Sequence, residues 1–205
     1  DLNDLSSSTW LRICERLEIE TIMNKNNKRT PQGQKFSPNN NNQFSGIFNH
    51  LRDKSNNGID NEIKITASSI VHNGERYLPK TVALKENYDY YFASENKKGS
   101  WLKIDFKEHK IIPTHYTIRS GNWSPNSSHP KSWVLEVSND DKTWTIVDEV
   151  NNCSKLNGTR LVHTFKIQKE QTEYFRYIQI RQTGQDWSNS NNLAFETIEI
   201  YGTLI

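Results

Sequence analysis

The chain after Gly58 is predicted to be an all-β sandwich, preceded by a short α-helical N-terminal appendage. Three observations predict it. Downstream of Gly58, apolar and polar residues alternate with a period of two in segment after segment. Clusters of Gly, Pro, Asn, Asp and Ser separate those segments. Only 33% of the chain is hydrophobic, yet it holds six Trp, eight Tyr and eight Phe against a single Met. Such side chains each bury much area while losing few rotamers, which suits a thin two-layer core.

Taken in order, residues 6–24 place Trp10, Ile13, Cys14 and Leu17 on one helical face, behind a Ser/Thr run able to cap a helix start. Residues 26–43 are rich in Lys, Asn, Pro and Gln without periodicity, which predicts a linker or long loop. Phe44, Ile47, Phe48 and Leu51 then repeat the helical spacing, and Gly58 is well placed to stop that segment. Two short helices bury little area against each other. Their apolar faces are expected to pack on the sandwich, on an upstream domain or on a partner. The chain is therefore divided into a helical extension with a polar linker over 1–57 and a sandwich over 58–205.

Within the sandwich, alternation predicts strands at 62–67, 100–106, 114–119, 132–137, 144–147, 161–167, 175–181 and 195–201. Short alternating strands with almost no helix between them indicate antiparallel sheets, apolar inside and polar outside. The run Asn139-Asp140-Asp141-Lys142 reads as a tight hairpin turn.

Composition narrows the function classes. The 26 basic and 24 acidic residues leave a net charge of +2 with no basic block, so the clustered footprint of a duplex nucleic-acid binder is missing and no nucleic-acid partner is expected. No apolar run is long enough to span a bilayer, and the first residues lack the apolar core of a signal peptide. Membrane contact is disfavoured and the chain is read as intracellular. In that compartment Cys14 and Cys153 are expected as free thiols, a disulfide between them being the alternative. Sequons at Asn122, Asn126, Asn152 and Asn157 follow from an Asn-rich composition and count only in a secreted protein. The six His (His50, His72, His109, His115, His129 and His163) fall in no zinc-ligand spacing. No nucleophile elbow, phosphate loop or dinucleotide fingerprint occurs. Catalysis, a cofactor and a metal are therefore not expected.

Several segments carry a family resemblance. Residues 99–106 with 111–119, residues 129–140 followed by Trp144, and residues 175–184 closing with 198–202 resemble, in the right order, the strands of discoidin-like (factor V/VIII type C) domains. The resemblance implies a galactose-binding-like jelly-roll β-sandwich. Residues 151–158 and 162–165 are similar, more narrowly, to the discoidin-like domains that follow BTB and BACK domains in protist proteins, and residues 46–52 look like the lead-in helix such proteins carry. The chain departs from the secreted relatives in two ways. Neither Cys sits at an end of the domain, so the end-to-end disulfide is missing. Where carbohydrate-binding relatives place an Asp that helps to hold a structural calcium, this chain has Lys85, although Phe92 and Ser94 keep the following pattern. A cation in place of a hard oxygen ligand argues against a calcium site of that kind.

Function is expected in the rim loops, which a rigid scaffold presents. The first candidate loop, 86–94, carries Tyr88, Tyr90 and Tyr91, with Phe92 expected in the core. The second, 120–130, carries Trp123 and His129. The third, 184–192, carries Trp187. Rigid amphipathic aromatics serve sugars and protein partners equally well. The missing bridge, the missing calcium ligand, the near-neutral charge and the helical appendage favour a non-catalytic module for intracellular protein-protein interaction, extending to a scaffold component of a large cytoskeletal assembly. The alternative is a lectin-like carbohydrate-binding module, with a glycan as partner.

Overall fold

A computed structural model describes residue 16 and residues 32–205, apart from 56–57, 73 and 85–89. The helix expected over 6–24, with Cys14, and the loop residues Lys85 and Tyr88 lie outside the described residues. The chain divides into two units, Asp1–Gly33 and Gln34–Ile205, and all described strands belong to the second. They are β1 (Gln34–Phe36), β2 (Lys64–Ala67), β3 (Phe92–Ala93), β4 (Trp101–Asp105), β5 (Ile111–Arg119), β6 (Trp133–Ser138), β7 (Thr145–Val150), β8 (Val162–Lys166), β9 (Tyr177–Gln182), β10 (Ala194–Phe195) and β11 (Thr197–Leu204).

Every pairing is antiparallel. A four-stranded sheet runs β1-β11-β5-β8, a five-stranded sheet runs β2-β4-β9-β6-β7, and β10 pairs with β3 in a short ribbon. This is the predicted sandwich, mostly β, with one short described α-helix, α1 (Ile47–Lys54). Alternation explains it strand by strand: β4 buries Leu102 and Ile104 and leaves Trp101, Lys103 and Asp105 half-exposed. The core between the sheets is aromatic at its centre. Tyr116 and Phe165 stack with centroids 5.1 Å apart, and Trp133 meets Phe165 edge-on at 5.2 Å. Both polar atoms brought in by these rings are satisfied. The Trp133 indole N–H donates to the Tyr116 hydroxyl at 2.9 Å, and that hydroxyl donates to the buried Asp148 carboxylate at 2.7 Å.

Two features escape the alternation. β1 falls in the stretch read as linker, because its partner is the far end of the chain: Gln34 lies opposite Leu204 and Phe36 opposite Gly202. β11 buries both of its faces, with Ile198 and Ile200 in the core and Glu199 and Tyr201 also nearly inaccessible. The segment ahead of the sandwich covers that outer face. The Tyr201 hydroxyl donates to the Gln43 carbonyl. α1 sets Ile47, Phe48 and Leu51 into the core cluster, each 1% exposed or less. No side chain of the preceding residues caps α1. Instead the Glu199 carboxyl group accepts the Phe48 and Asn49 backbone N–H groups, at 2.8 and 3.1 Å, supplying acceptors to the orphan donors of the helix start. Gly46 makes this approach possible, since a Cβ there would lie 2.4 Å from the Ile200 carbonyl oxygen.

The registers gather five loops at one end of the sandwich. Trp101 begins β4 opposite Arg181 near the end of β9, Trp133 begins β6 opposite Gln182 and Val150, and Arg119 ends β5 opposite Val162 and Thr197. Loops 68–77, 94–100, 120–132, 151–161 and 183–193 therefore share a rim.

Candidate rim cleft

The floor of the rim site is the ribbon of β3 and β10. Ala93 lies directly opposite Ala194, and two small side chains in register leave room that larger ones would fill. Behind them Phe92 and Phe195 meet edge-to-face at 5.9 Å, fully buried, so Phe92 belongs to the core. Above the floor is a cleft of about 450 Å3 whose walls include Val71, His72, Tyr91 and Trp123. Val71 is 39% exposed, unusual for a large apolar side chain, and it stands at the lip of this cleft.

Aromatic rings form a continuous wall. His72 packs on Tyr77 at 4.8 Å, Tyr77 on Tyr91 at 4.9 Å, Tyr91 on Trp123 at 4.9 Å and 86°, and Trp123 on His129 at 5.8 Å. Near-perpendicular rings at this spacing are a favourable quadrupole arrangement, so each ring braces the next. Burial, and then the neighbouring Tyr77, push the Tyr91 phenol above its ordinary range. It is a neutral O–H donor at physiological pH.

The loop carrying Trp123 is held at several points. Gly121 lets the indole lie on the backbone, since a Cβ there would fall 1.5 Å from the ring. The Thr159 hydroxyl donates to the Trp123 carbonyl at 2.8 Å, and the Asn126 N–H donates to the Asn157 side chain at 2.7 Å. Beneath the loop, His129 is fully buried and its Nε2–H donates to the Ser124 carbonyl at 3.1 Å. The opposite wall is built on Asp186. Its buried carboxylate accepts the backbone N–H and hydroxyl of both Ser188 and Ser190. Asn192 is fixed in turn, donating to the Ser94 carbonyl at 2.7 Å, with its side-chain oxygen 2.6 Å from the Ser190 hydroxyl oxygen.

The polar groups presented to the cleft come from Asn126, Ser127, Ser128, Ser188 and Asn192. Among the described residues no Asp, Glu, Lys or Arg lines it, and no group of three His, Cys, Asp or Glu could hold a metal ion. The arrangement can stack an apolar face and satisfy hydroxyls around it.

The structure brings Tyr91 and Trp123 together and seats His129 under Trp123. Tyr90 is half-buried outside the lining, and Tyr88 lies outside the described residues. Trp187 points elsewhere: its indole N–H donates to the Cys153 carbonyl at 3.0 Å, and the Lys131 ammonium sits 4.6 Å from its ring. Cys153 itself is free and buried. His72 and Val71 were not anticipated, because residues 68–77 carry neither an aromatic cluster nor a charge pattern; only the turn-rich composition marks them as a loop.

Comparison with known proteins bears on this arrangement. The sequence profile of the F5/8 type C domain matches residues 64–196. No curated protein matches the chain. Among solved structures, the CBM32-5 module of CpGH89 from Clostridium perfringens, in complex with GalNAc-β-1,3-galactose, shares the fold with a TM-score of 0.55 and 12% identity, over 69% of this chain and 96% of that one. The family 32 carbohydrate-binding module of Clostridium perfringens NanJ, in complex with galactose, gives 0.52 and 12%, over 69% and 94%. A fucolectin from striped bass (Morone saxatilis) serum gives 0.52 and 15%, over 69% and 47%. These neighbours overturn the expectation of a protein-interaction scaffold, because these three structures of the same fold are two carbohydrate-binding modules and a lectin. The physical reason is that a missing bridge and a missing metal ligand concern how the scaffold is held together, whereas ligand class is set by the rim.

Proposed function

The chain belongs to the F5/8 type C domain family, and from that premise we propose that its rim cleft binds carbohydrate. The family is one of binding modules, non-catalytic in themselves. The observation that carries the reading is the Tyr91–Trp123 pair, 4.9 Å apart at 86°, walling a cleft of about 450 Å3 whose described lining is uncharged. A pyranose has an apolar face of C–H groups ringed by hydroxyls. Trp123 supplies the surface for that face, and Asn126, Ser127, Ser128, Ser188 and Asn192 supply donors and acceptors for the ring. The described lining is neutral, which suits a neutral sugar at this position. The alanine ribbon gives depth for one ring, and the pinned loops reduce the ordering cost of binding.

A glycan array tests it. The expected result is saturable binding to a subset of neutral glycans, abolished by Trp123→Ala and weakened by Tyr91→Ala in protein that melts normally. An array without hits, or hits indifferent to Trp123→Ala, rejects it. The nearer kinship to domains that follow BTB and BACK domains rests on residues 151–158 and 162–165. It is a separate proposal, tested by whether the gene encodes a BTB domain upstream.

A further inference from the structure

The segment ahead of the sandwich forms a strap over β11, and a buried carboxyl fastens it. Between β1 and α1 the strap is bonded largely within itself. The Asn41 and Phe44 N–H groups donate to the side chains of Asn39 and Asn42, at 2.9 and 3.1 Å, and the Asn42 N–H donates to the Asn39 carbonyl at 3.1 Å. The polar ties that strap and helix make to the rest of the sandwich converge on a few groups. The Tyr201 hydroxyl reaches the Gln43 carbonyl, the Arg52 Nη1 donates to the Ala83 carbonyl at 2.6 Å, and Glu199 takes the Phe48 and Asn49 N–H groups. A supersecondary unit bonded mainly within itself is of the kind that opens as one piece.

Glu199 is the tie that titrates near neutrality. It is 2% exposed, and its Oε1 accepts the N–H groups of both Phe48 and Ile200, so one carboxyl bridges α1 to β11. Burial pushes it up to about 7, against the opposing pull of the Phe48, Ile200 and Asn49 N–H groups and then of the Arg52 guanidinium. The other groups around it change little in that range. The Tyr201 phenol, two residues along β11, is pushed up to about 12 by burial and is neutral. On β5 its register partner is the uncharged Thr117, and the Arg119 guanidinium lies 4.5 Å from the Phe44 ring. On α1, His50 packs on Phe36 and Asp53 accepts from the Asn49 side chain. The seam beside the carboxyl is not filled: a cavity of about 410 Å3 lies there, lined in part by Asn42, Asn49, Arg52 and Thr197.

We propose that Glu199 is a pH-sensitive latch: its protonated form holds the strap and α1 on β11, and its ionisation makes that segment open more often while the two sheets stay folded. The apolar contacts of Ile47, Phe48 and Leu51 keep the closed state predominant, so the latch sets how often the strap opens. The sign follows from the carboxyl. Opening returns it to water and its ordinary 4.5, so from there to about 7 the closed state holds a proton that the open state has lost, and closure weakens as pH rises.

Hydrogen exchange of the full chain, followed by mass spectrometry and corrected for intrinsic rates, tests it. Amides of α1 are expected to be less protected than those of β6 and β9 at every pH. Their protection should fall about twentyfold between pH 5.5 and pH 7.5, and Glu199→Gln should flatten that fall. Arg52→Gln keeps the carboxyl and removes its cation. The proton is then held to higher pH and the fall moves upward, a displacement that loss of a merely structural contact does not produce. Equal protection in α1 and the sheets would show that the strap leaves only when the whole domain unfolds, and would overturn the latch. So would a pH response that survives in Glu199→Gln or, should that variant not fold, one left in place by Arg52→Gln.

Discussion

At the scale of single residues, the sequence reveals which side chains are large and aromatic but not what their polar atoms find. Trp123, Trp133 and Trp187 show this. Trp133 lies in an alternating strand and is legible as core, whereas Trp123 and Trp187 both lie in polar loops and look equivalent. Their difference is set by partners remote in sequence: the Trp187 indole is tied to the Cys153 carbonyl, while the Trp123 ring lies over Gly121 at the cleft. Two outcomes follow. Tyr116→Phe leaves the Trp133 N–H without its acceptor and removes the shorter of the hydrogen bonds to the buried Asp148, which keeps the Gln168 N–H. It is expected to cost about 1–3 kcal/mol in urea unfolding, with glycan binding intact. Gly121→Ala drives a Cβ into the Trp123 ring. The expected outcome is lost sugar binding with a much smaller change in melting temperature, because the displaced ring is only half-buried at the rim.

At the scale of elements, strands with a period of two were legible because alternation is local. β1, β3 and the capping of α1 were not, since each depends on a partner far along the chain; Phe48 and Glu199 are 151 residues apart. The cap has a pH signature. Burial dominates and pushes the Glu199 carboxyl up to about 7 from an ordinary 4.5, although the Phe48, Ile200 and Asn49 N–H groups pull it down. Between those values the folded state keeps a proton that the unfolded chain has released. The contribution is therefore complete below about pH 4.5 and is lost as pH rises through about 7, a swing on the order of 3 kcal/mol. Urea midpoints across that window should fall for the parent protein and flatten for Glu199→Gln. Parallel profiles would place the titration elsewhere.

At the scale of the molecule, the segment before Gly58 matters to the sandwich. Ile47, Phe48 and Leu51 sit in the core cluster, and burial of such side chains contributes about 1.5–3 kcal/mol each. A fragment that begins at Gly58 is expected to unfold at much lower urea than one that begins at Gln34; equal midpoints would show that α1 adds nothing. The sandwich class was legible from composition and alternation, and the family from the order of its strand motifs. The ligand class was not, because the cleft is assembled from Val71, Tyr91, Trp123, Ser188 and Asn192, which only the fold brings together. Carbohydrate binding at that cleft is the central claim, and the indole N–H resonances test it most directly. On titration with a glycan that binds, the Trp123 indole signal should move in a saturable way while that of the buried Trp133 stays fixed. A Trp123 signal that does not move, while other loops respond, would contradict the account.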